Sequence, residues 1–132
     1  MPIWLEAREI LLFHHLLIDE HGGLHGIRDE GGLESTLARP QNLLSYHPET
    51  TTTSLAACYG FGLCQNHVFN DGNKRIALTA INIFLQLNGL NLNASEAEAV
   101  HVIREVASGN VDESMLASWI SKNSELFDLD NA

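Results

Sequence analysis

Between His67 and Arg75 the chain reads His-Val-Phe-Asn-Asp-Gly-Asn-Lys-Arg, an imidazole, a carboxylate, a glycine, amides and two adjacent cations within nine residues. No other stretch gathers as many groups able to do chemistry. It lies between two apolar segments, Ser54 to Cys64 and Ile76 to Leu87, and reads as a loop running into a helix that starts near Gly72. The unpaired N–H groups of Gly72, Asn73 and Lys74 would then point out of the helix start, where the macrodipole favours an anion, and Lys74 and Arg75 add two full charges. Asp71 falls at the N-cap, where a carboxylate either caps the helix or holds magnesium against a polyphosphate. His67, four residues upstream, supplies an imidazole, the side chain suited to act as a base near neutral pH. Base, metal ligand and anion cradle are together the parts of a phosphate-transfer site.

Each residue also has a plain structural reading. Phe69 is a core anchor for the loop, Asn70 a turn residue, Asp71 a helix cap, Asn73 a closer of backbone groups and His67 a satisfied loop histidine. What favours chemistry is their coincidence in one loop at the start of the helix that reads as the most buried.

The elements that must hold this loop are helical. Trp4 to Glu20 reads as a first helix with Ala7, Ile10, Leu11, Leu17 and Ile18 on a wide apolar face, stopped by Gly22-Gly23. His14, His15, His21 and His25 crowd its end, but the glycines between His21 and His25 undo a helical i,i+4 pair, so no metal site is read from them. Asp29 caps a short helix from about Gly31 to Arg39, ended by Pro40, and an irregular connection follows to Pro48. Thr51 to Thr53 offer N-caps for a helix to about Asn66, in which Gly60 and Gly62 predict close approach to the next helix. Gly72 to Asn88 is apolar almost all round, the pattern of a buried central helix. Ser95 to Ser108 begins with a capping box, and Asp112 starts a last helix striped with Met115, Leu116, Trp119 and Ile120. Strands are not expected. The pattern predicts an all-α compact bundle of about six helices, one domain over residues 1–123, with a polar, fraying tail over 124–132.

Composition narrows the function. Seventeen Asp and Glu against seven Lys and Arg give a net charge of −10, which opposes binding to nucleic acid, since phosphate backbones need clustered cations. No run nears the roughly 20 apolar residues of a membrane span and no signal peptide opens the chain, so a cytoplasmic protein without a membrane partner is expected. Cys58 and Cys64 are six apart on a predicted helix and read as reduced core thiols.

The loop is similar to the motif of the Fic/Doc family. That motif runs His-x-Phe-x-Asp/Glu-Gly-Asn-Gly-Arg-x-x-Arg in the Fic branch and His-x-Phe-x-Asp-Ala-Asn-Lys-Arg in the death-on-curing, or Doc, branch. His67, Phe69, Asp71, Asn73 and Arg75 satisfy both; Gly72 is the Fic choice, Lys74 the Doc choice, and Leu78 stands where Fic proteins carry a second arginine. The segment from Ile27 to Gln41 also resembles the one that precedes the motif in Doc proteins.

The resemblance implies the Fic fold and a toxin of a toxin–antitoxin pair. Its activity would be that of a protein kinase, moving the γ-phosphate of ATP with Mg2+ to a hydroxyl of a translation factor, elongation factor Tu being the family's target. His67 would deprotonate the acceptor, Asp71 would hold magnesium, and Gly72, Asn73, Lys74 and Arg75 would bind phosphates, with His67, Asp71, Lys74 and Arg75 as the catalytic set. Arg28 and Arg39 fall in a region that lies near the mouth of the site in Fic/Doc folds. A small antitoxin, folding its disordered end onto the toxin, is the implied partner. Two alternatives stay open: a Fic-type adenylyltransferase, and a non-catalytic binding module on the same fold. Ser121 to Glu125 is near the inhibitory motif of some Fic proteins but is followed by Leu126 rather than the required Gly or Asn, so a separate inhibitor is expected.

Overall fold

The computed structural model describes residues 1–127. Its elements, in order, are α1 (Ala7–His21), α2 (Glu30–Tyr46), α3 (Thr52–Gln65), α4 (Asn73–Leu87), β1 (Leu90–Leu92), α5 (Glu96–Ala107), α6 (Glu113–Lys122) and β2 (Ser124–Leu126). The expected all-α architecture of about six helices holds. No helix among the described residues is long and apolar enough to cross a membrane.

α3 and α4 form the central pair, with α2 and α6 packed on α3 and with α1 and α5 on α4. Their apolar composition explains the placement: Leu55, Tyr59 and Leu63 of α3 meet Ile76, Ile81 and Phe84 of α4 in the core, all essentially inaccessible. The helix starts are where capping chemistry places them. Thr51 Oγ1 accepts the Ser54 N–H (3.2 Å), Ser95 Oγ the Glu98 N–H (3.1 Å) and Asp112 Oδ1 the Met115 N–H (2.8 Å).

Three local expectations are corrected. α2 does not end at Pro40 but runs on to Tyr46, with Pro40 buried inside it. An internal proline removes one helical hydrogen bond and costs about 3 kcal/mol. Here the apolar face that carries Leu33 and Leu37 continues through Pro40 to Leu43 and Leu44 against the core, and that burial outweighs the local penalty. Second, strands are present. β1 and β2 pair antiparallel with Leu90 opposite Leu126 and Leu92 opposite Ser124, so the expected fraying tail begins instead with an ordered strand. The remainder of that tail, residues 128–132, lies outside the described residues. Third, only one of the two α3 glycines faces the next helix. A Cβ on Gly60 would stand 2.4 Å from Ile81 Cδ1 of α4, whereas one on Gly62 would meet Thr36 Cγ2 of α2 at 2.9 Å.

The Gly60 contact fixes the spacing of the central pair, because Ile81 is wholly buried and cannot swing aside. Gly60→Val is therefore expected to lower unfolding free energy by at least ~2 kcal/mol through overpacking, despite the poor helix propensity of glycine. Urea denaturation of the two proteins measures this.

Candidate functional site

The site loop is pinned from both flanks. After α3 the chain turns through exposed His67 at φ 48°, in the left-handed region that residues with a Cβ seldom adopt. Val68 and Phe69 then point into the core. Val68 O accepts N–H bonds from Arg28 (2.7 Å) and Asp29 (3.1 Å), and Phe69 forms an antiparallel bridge with Ile27. Asn70 donates its backbone N–H to Gly26 O (3.1 Å) and its side-chain Nδ2 to His25 O (3.2 Å). The chain that follows α1 thus runs alongside the loop and supplies it with hydrogen-bond partners.

The loop also closes on itself. Asn73 Oδ1 accepts the Phe69 N–H (3.1 Å) while Asn73 Nδ2 donates to Phe69 O (3.0 Å), so this amide is spent on the loop's own backbone. Beneath it, the buried His14 ring stacks on Phe69, with centroids 3.7 Å apart and planes 9° from parallel. His14 Nε2 donates to Asp71 O at 2.7 Å; the carbonyl can only accept, which assigns the proton to that nitrogen.

Asp71 is not the N-cap of α4. Gly72 is, in a left-handed conformation (φ 74°) that glycine adopts without penalty. The Asp71 carboxylate is instead held by backbone: Oδ1 accepts the Gly72 N–H (2.8 Å) and Oδ2 the Leu24 N–H (3.2 Å). These bonds, the Gly72 one foremost, hold the carboxyl below the usual carboxylate range, so it stays ionised. No side chain among the described residues caps α4, and the Ile76 N–H is the first to bond back, to Gly72 O (3.0 Å). The backbone N–H groups of Asn73, Lys74 and Arg75 therefore face outward as an anion cradle.

Over this helix start opens a cleft of about 470 Å³ between α4 and α5. Asp71, Gly72, Asn73, Lys74 and Arg75 line one side, Leu78 and Val100 give it an apolar surface, and Glu96 and Arg104 come from α5. Three of the chain's seven Lys and Arg side chains, Lys74, Arg75 and Arg104, meet here. Arg8 and Arg39, by contrast, are engaged in ion pairs with Glu6 and Glu113.

Residues 4–85 match the profile of the Fic/DOC family. The chain belongs to the Fic/Doc family. It is 30% identical over 118 residues to the protein kinase Doc of Escherichia phage P1, covering 89% of this chain and 93% of that one. It is 34% identical over 103 residues to Toxin Doc of Mycolicibacterium smegmatis, covering 76% and 79%. Both relatives are Doc proteins, which sets the chain on the Doc branch of the Fic/Doc family.

Of the residues singled out from the sequence, Asp71, Gly72, Asn73, Lys74 and Arg75 come together in the cleft, and His67 does not line it but stands exposed at the other end of the loop. Neither Arg28 nor Arg39 lines it; Arg39 is bonded to Glu113 of α6 and to Cys58 Sγ. Burial, foremost, pushes the Cys58 thiol up to about 11, as suits an inert core thiol. The near-match to an inhibitory motif, Ser121 to Glu125, spans the end of α6 and the start of β2, away from the cleft lining.

Sequence reasoning missed Arg104, whose place in the cleft depends on how α5 packs on α4, and it missed the bracing role of His14. The second was readable: His14 lies four residues from both Ile10 and Ile18, on the buried stripe of α1, where an imidazole needs a partner. His14→Leu keeps the volume apolar but removes the bond to Asp71 O, and is expected to cost about 1–2 kcal/mol of stability. Amide exchange of Asn70 to Gly72 in this variant should quicken more than that of the α3 core, which hydrogen-exchange mass spectrometry measures.

Proposed function

We propose that this Doc-branch protein is the toxin of a toxin–antitoxin pair and acts as a cytoplasmic protein kinase, transferring the γ-phosphate of ATP to a hydroxyl on a translation factor of the elongation factor Tu type. One observation carries the reading: in a chain of net charge −10, Lys74, Arg75 and Arg104 gather around the uncapped start of α4 beside an ionised Asp71. A cleft of that charge pattern, with Leu78 and Val100 as an apolar surface, suits a nucleoside polyphosphate. The relatives named as a protein kinase and as a toxin point the same way.

In this mechanism the N–H groups of Asn73, Lys74 and Arg75 and the three cations neutralise the phosphate oxygens, so catalysis rests on positioning and electrostatics. Asp71 fits a magnesium ion, because each of its oxygens accepts only one backbone bond and the residue lines the cleft. A magnesium ion held by Asp71 would supply further neutralisation of the phosphates. His67 takes the proton of the acceptor hydroxyl as its oxygen bonds to the γ-phosphorus and the bond from that phosphorus to the β–γ bridging oxygen breaks, releasing ADP. Its position outside the cleft lining suits an acceptor carried by another protein. A left-handed histidine at that place is local strain of the kind that function maintains.

The Fic-type alternative, adenylyl transfer, is favoured by Gly72 alone, and the two differ in which phosphate moves. Purified protein, magnesium and elongation factor Tu incubated with ATP labelled at the α or the γ position should label the factor from the γ position only. His67→Gly separates chemistry from structure: relief of the left-handed backbone should leave the fold as stable or up to about 1 kcal/mol more so, while transfer falls by at least about 100-fold. A variant that keeps full transfer removes His67 from the mechanism, and label from the α position makes the enzyme an adenylyltransferase.

The antitoxin is proposed to be a small protein whose disordered end folds on this chain. Co-expression with the adjacent small reading frame should yield a complex that purifies as one species and transfers no label; separate elution of the two products refutes the pairing.

A further inference from the structure

A second cluster of side chains lies outside the cleft, on the exposed face of α1 and the turn that follows it. His15 and Asp19 are one helical turn apart, with His15 Nε2 3.3 Å from Asp19 Oδ2. Gly22 and Gly23, at φ 84° and 120°, fold the chain back so that His25 Nε2 lies 2.8 Å from Asp19 Oδ1. The two imidazole rings are 4.5 Å apart, and one ligand atom from each of the three residues lies within 4.8 Å of the others. Two imidazoles therefore converge on the two oxygens of one carboxylate from elements joined only by a glycine turn.

We infer that His15, Asp19 and His25 form a binding site for a divalent transition-metal ion of the zinc class. Tetrahedral zinc, with nitrogen and oxygen ligands at about 2.0–2.2 Å, holds its donors about 3.3–3.6 Å apart, so these side chains need only small rotations to close on an ion. The donor set excludes the hard cations: calcium takes six or more oxygens and magnesium prefers carboxylates and water, whereas two neutral imidazoles with one carboxylate suit zinc, nickel or copper. All three residues are exposed, so no buried charge has to be desolvated and water completes the fourth position. Hydrogen bonds between exposed groups contribute little by themselves.

The ion would tie the turn after α1 to α1 itself. The residues of that turn hold the site loop: Leu24 N–H binds Asp71 Oδ2, His25 O accepts Asn70 Nδ2, and Gly26 O accepts the Asn70 N–H. Metal at this site stiffens the wall behind Asp71 without touching the nucleotide.

The test uses the untagged full chain, freed of metal and titrated calorimetrically with zinc, alongside His15→Ala/His25→Ala, Asp19→Asn, and His47→Ala as a control whose histidine stands beside Glu49 elsewhere on the surface. One ion per chain is expected, with affinity at least about tenfold weaker in the double variant and in Asp19→Asn and unchanged in His47→Ala. Cobalt should show the intense visible absorption of a tetrahedral site in the wild type and lose it in the double variant. Zinc should also slow amide exchange at Leu24 and Asn70. Equal affinity in the double variant, or no binding by the wild type, overturns the site; binding that leaves the exchange of Leu24 and Asn70 unchanged overturns its link to the loop.

Discussion

α4 buries one face, Ile76, Ala77, Ala80, Ile81, Phe84 and Leu85, against the core and cannot shift its start without disturbing that packing, and this constraint fixes the site. α4 is held against α3 by the approach of Gly60 to Ile81, against α1 by His14 and Ile18 below Gly72, and against α5 along the cleft. Its first turn, with Lys74 and Arg75 exposed, has no side-chain cap among the described residues. In most helices a side chain or water satisfies these N–H groups; here Asp71, the natural candidate, is drawn back to Leu24 and Gly72 and leaves the next three N–H groups outward. Geometry of that kind costs no rearrangement when an anion arrives, which is the condition for strong electrostatic stabilisation.

Charge is arranged around the same point. The net acidic charge repels polyanions in general, so the cleft's cations stand as a local attraction for anions against a repulsive background. Among the described residues Lys74, Arg75 and Arg104 enter no ion pair, whereas Arg39 is committed to Glu113. A cation already paired with a carboxylate has less to offer a phosphate. Leu78, beside Lys74 and Arg75 in the cleft, leaves part of its lining apolar, and Arg104 approaches from the facing helix where α4 has no second arginine.

Much of this was legible in the sequence, and the exceptions share a cause. Helix starts were readable because Thr51, Ser95 and Asp112 act within four residues of themselves. The expectation that α4 is buried almost all round is corrected: Ile76, Ala77, Ala80, Ile81, Phe84 and Leu85 bury one face, Arg75 and Gln86 are exposed and Thr79 and Asn82 half-buried, and α3 is the more deeply buried helix of the central pair. The meeting of Asp71, Gly72, Asn73, Lys74 and Arg75 was readable because one loop holds them. What escaped depends on tertiary partners. Pro40 predicts a helix end unless the core beyond it is known to continue. β1 and β2 are too short for an alternating pattern to rise above chance and are stabilised by each other across more than 30 residues. Asp71 looked like a cap because nothing local reveals that Gly72 takes the left-handed turn or that Leu24 returns to meet the carboxylate. Arg104 is remote in the chain, and no spacing rule links it to Lys74.

The neighbouring histidines of α1 show how position rather than residue type decides a role. His14 and His15 are successive, so the helix points them about 100° apart. His14 turns inward, stacks under Phe69 and holds the carbonyl of Asp71; His15 turns outward, toward Asp19 and His25. Through the first, α1 grips the backbone of the carboxylate residue from beneath. Through the chain that leaves its C-terminus, it grips the carboxylate itself by Leu24 N–H and the neighbouring Asn70 by His25 O and Gly26 O. One grip lies on α1 and the other on the turn that leaves it, so displacing Asp71 breaks the bond to His14 or the bond to Leu24. The loop's precision therefore comes from an element that contributes only His21 to the cleft lining. A search for function limited to the motif would pass it by.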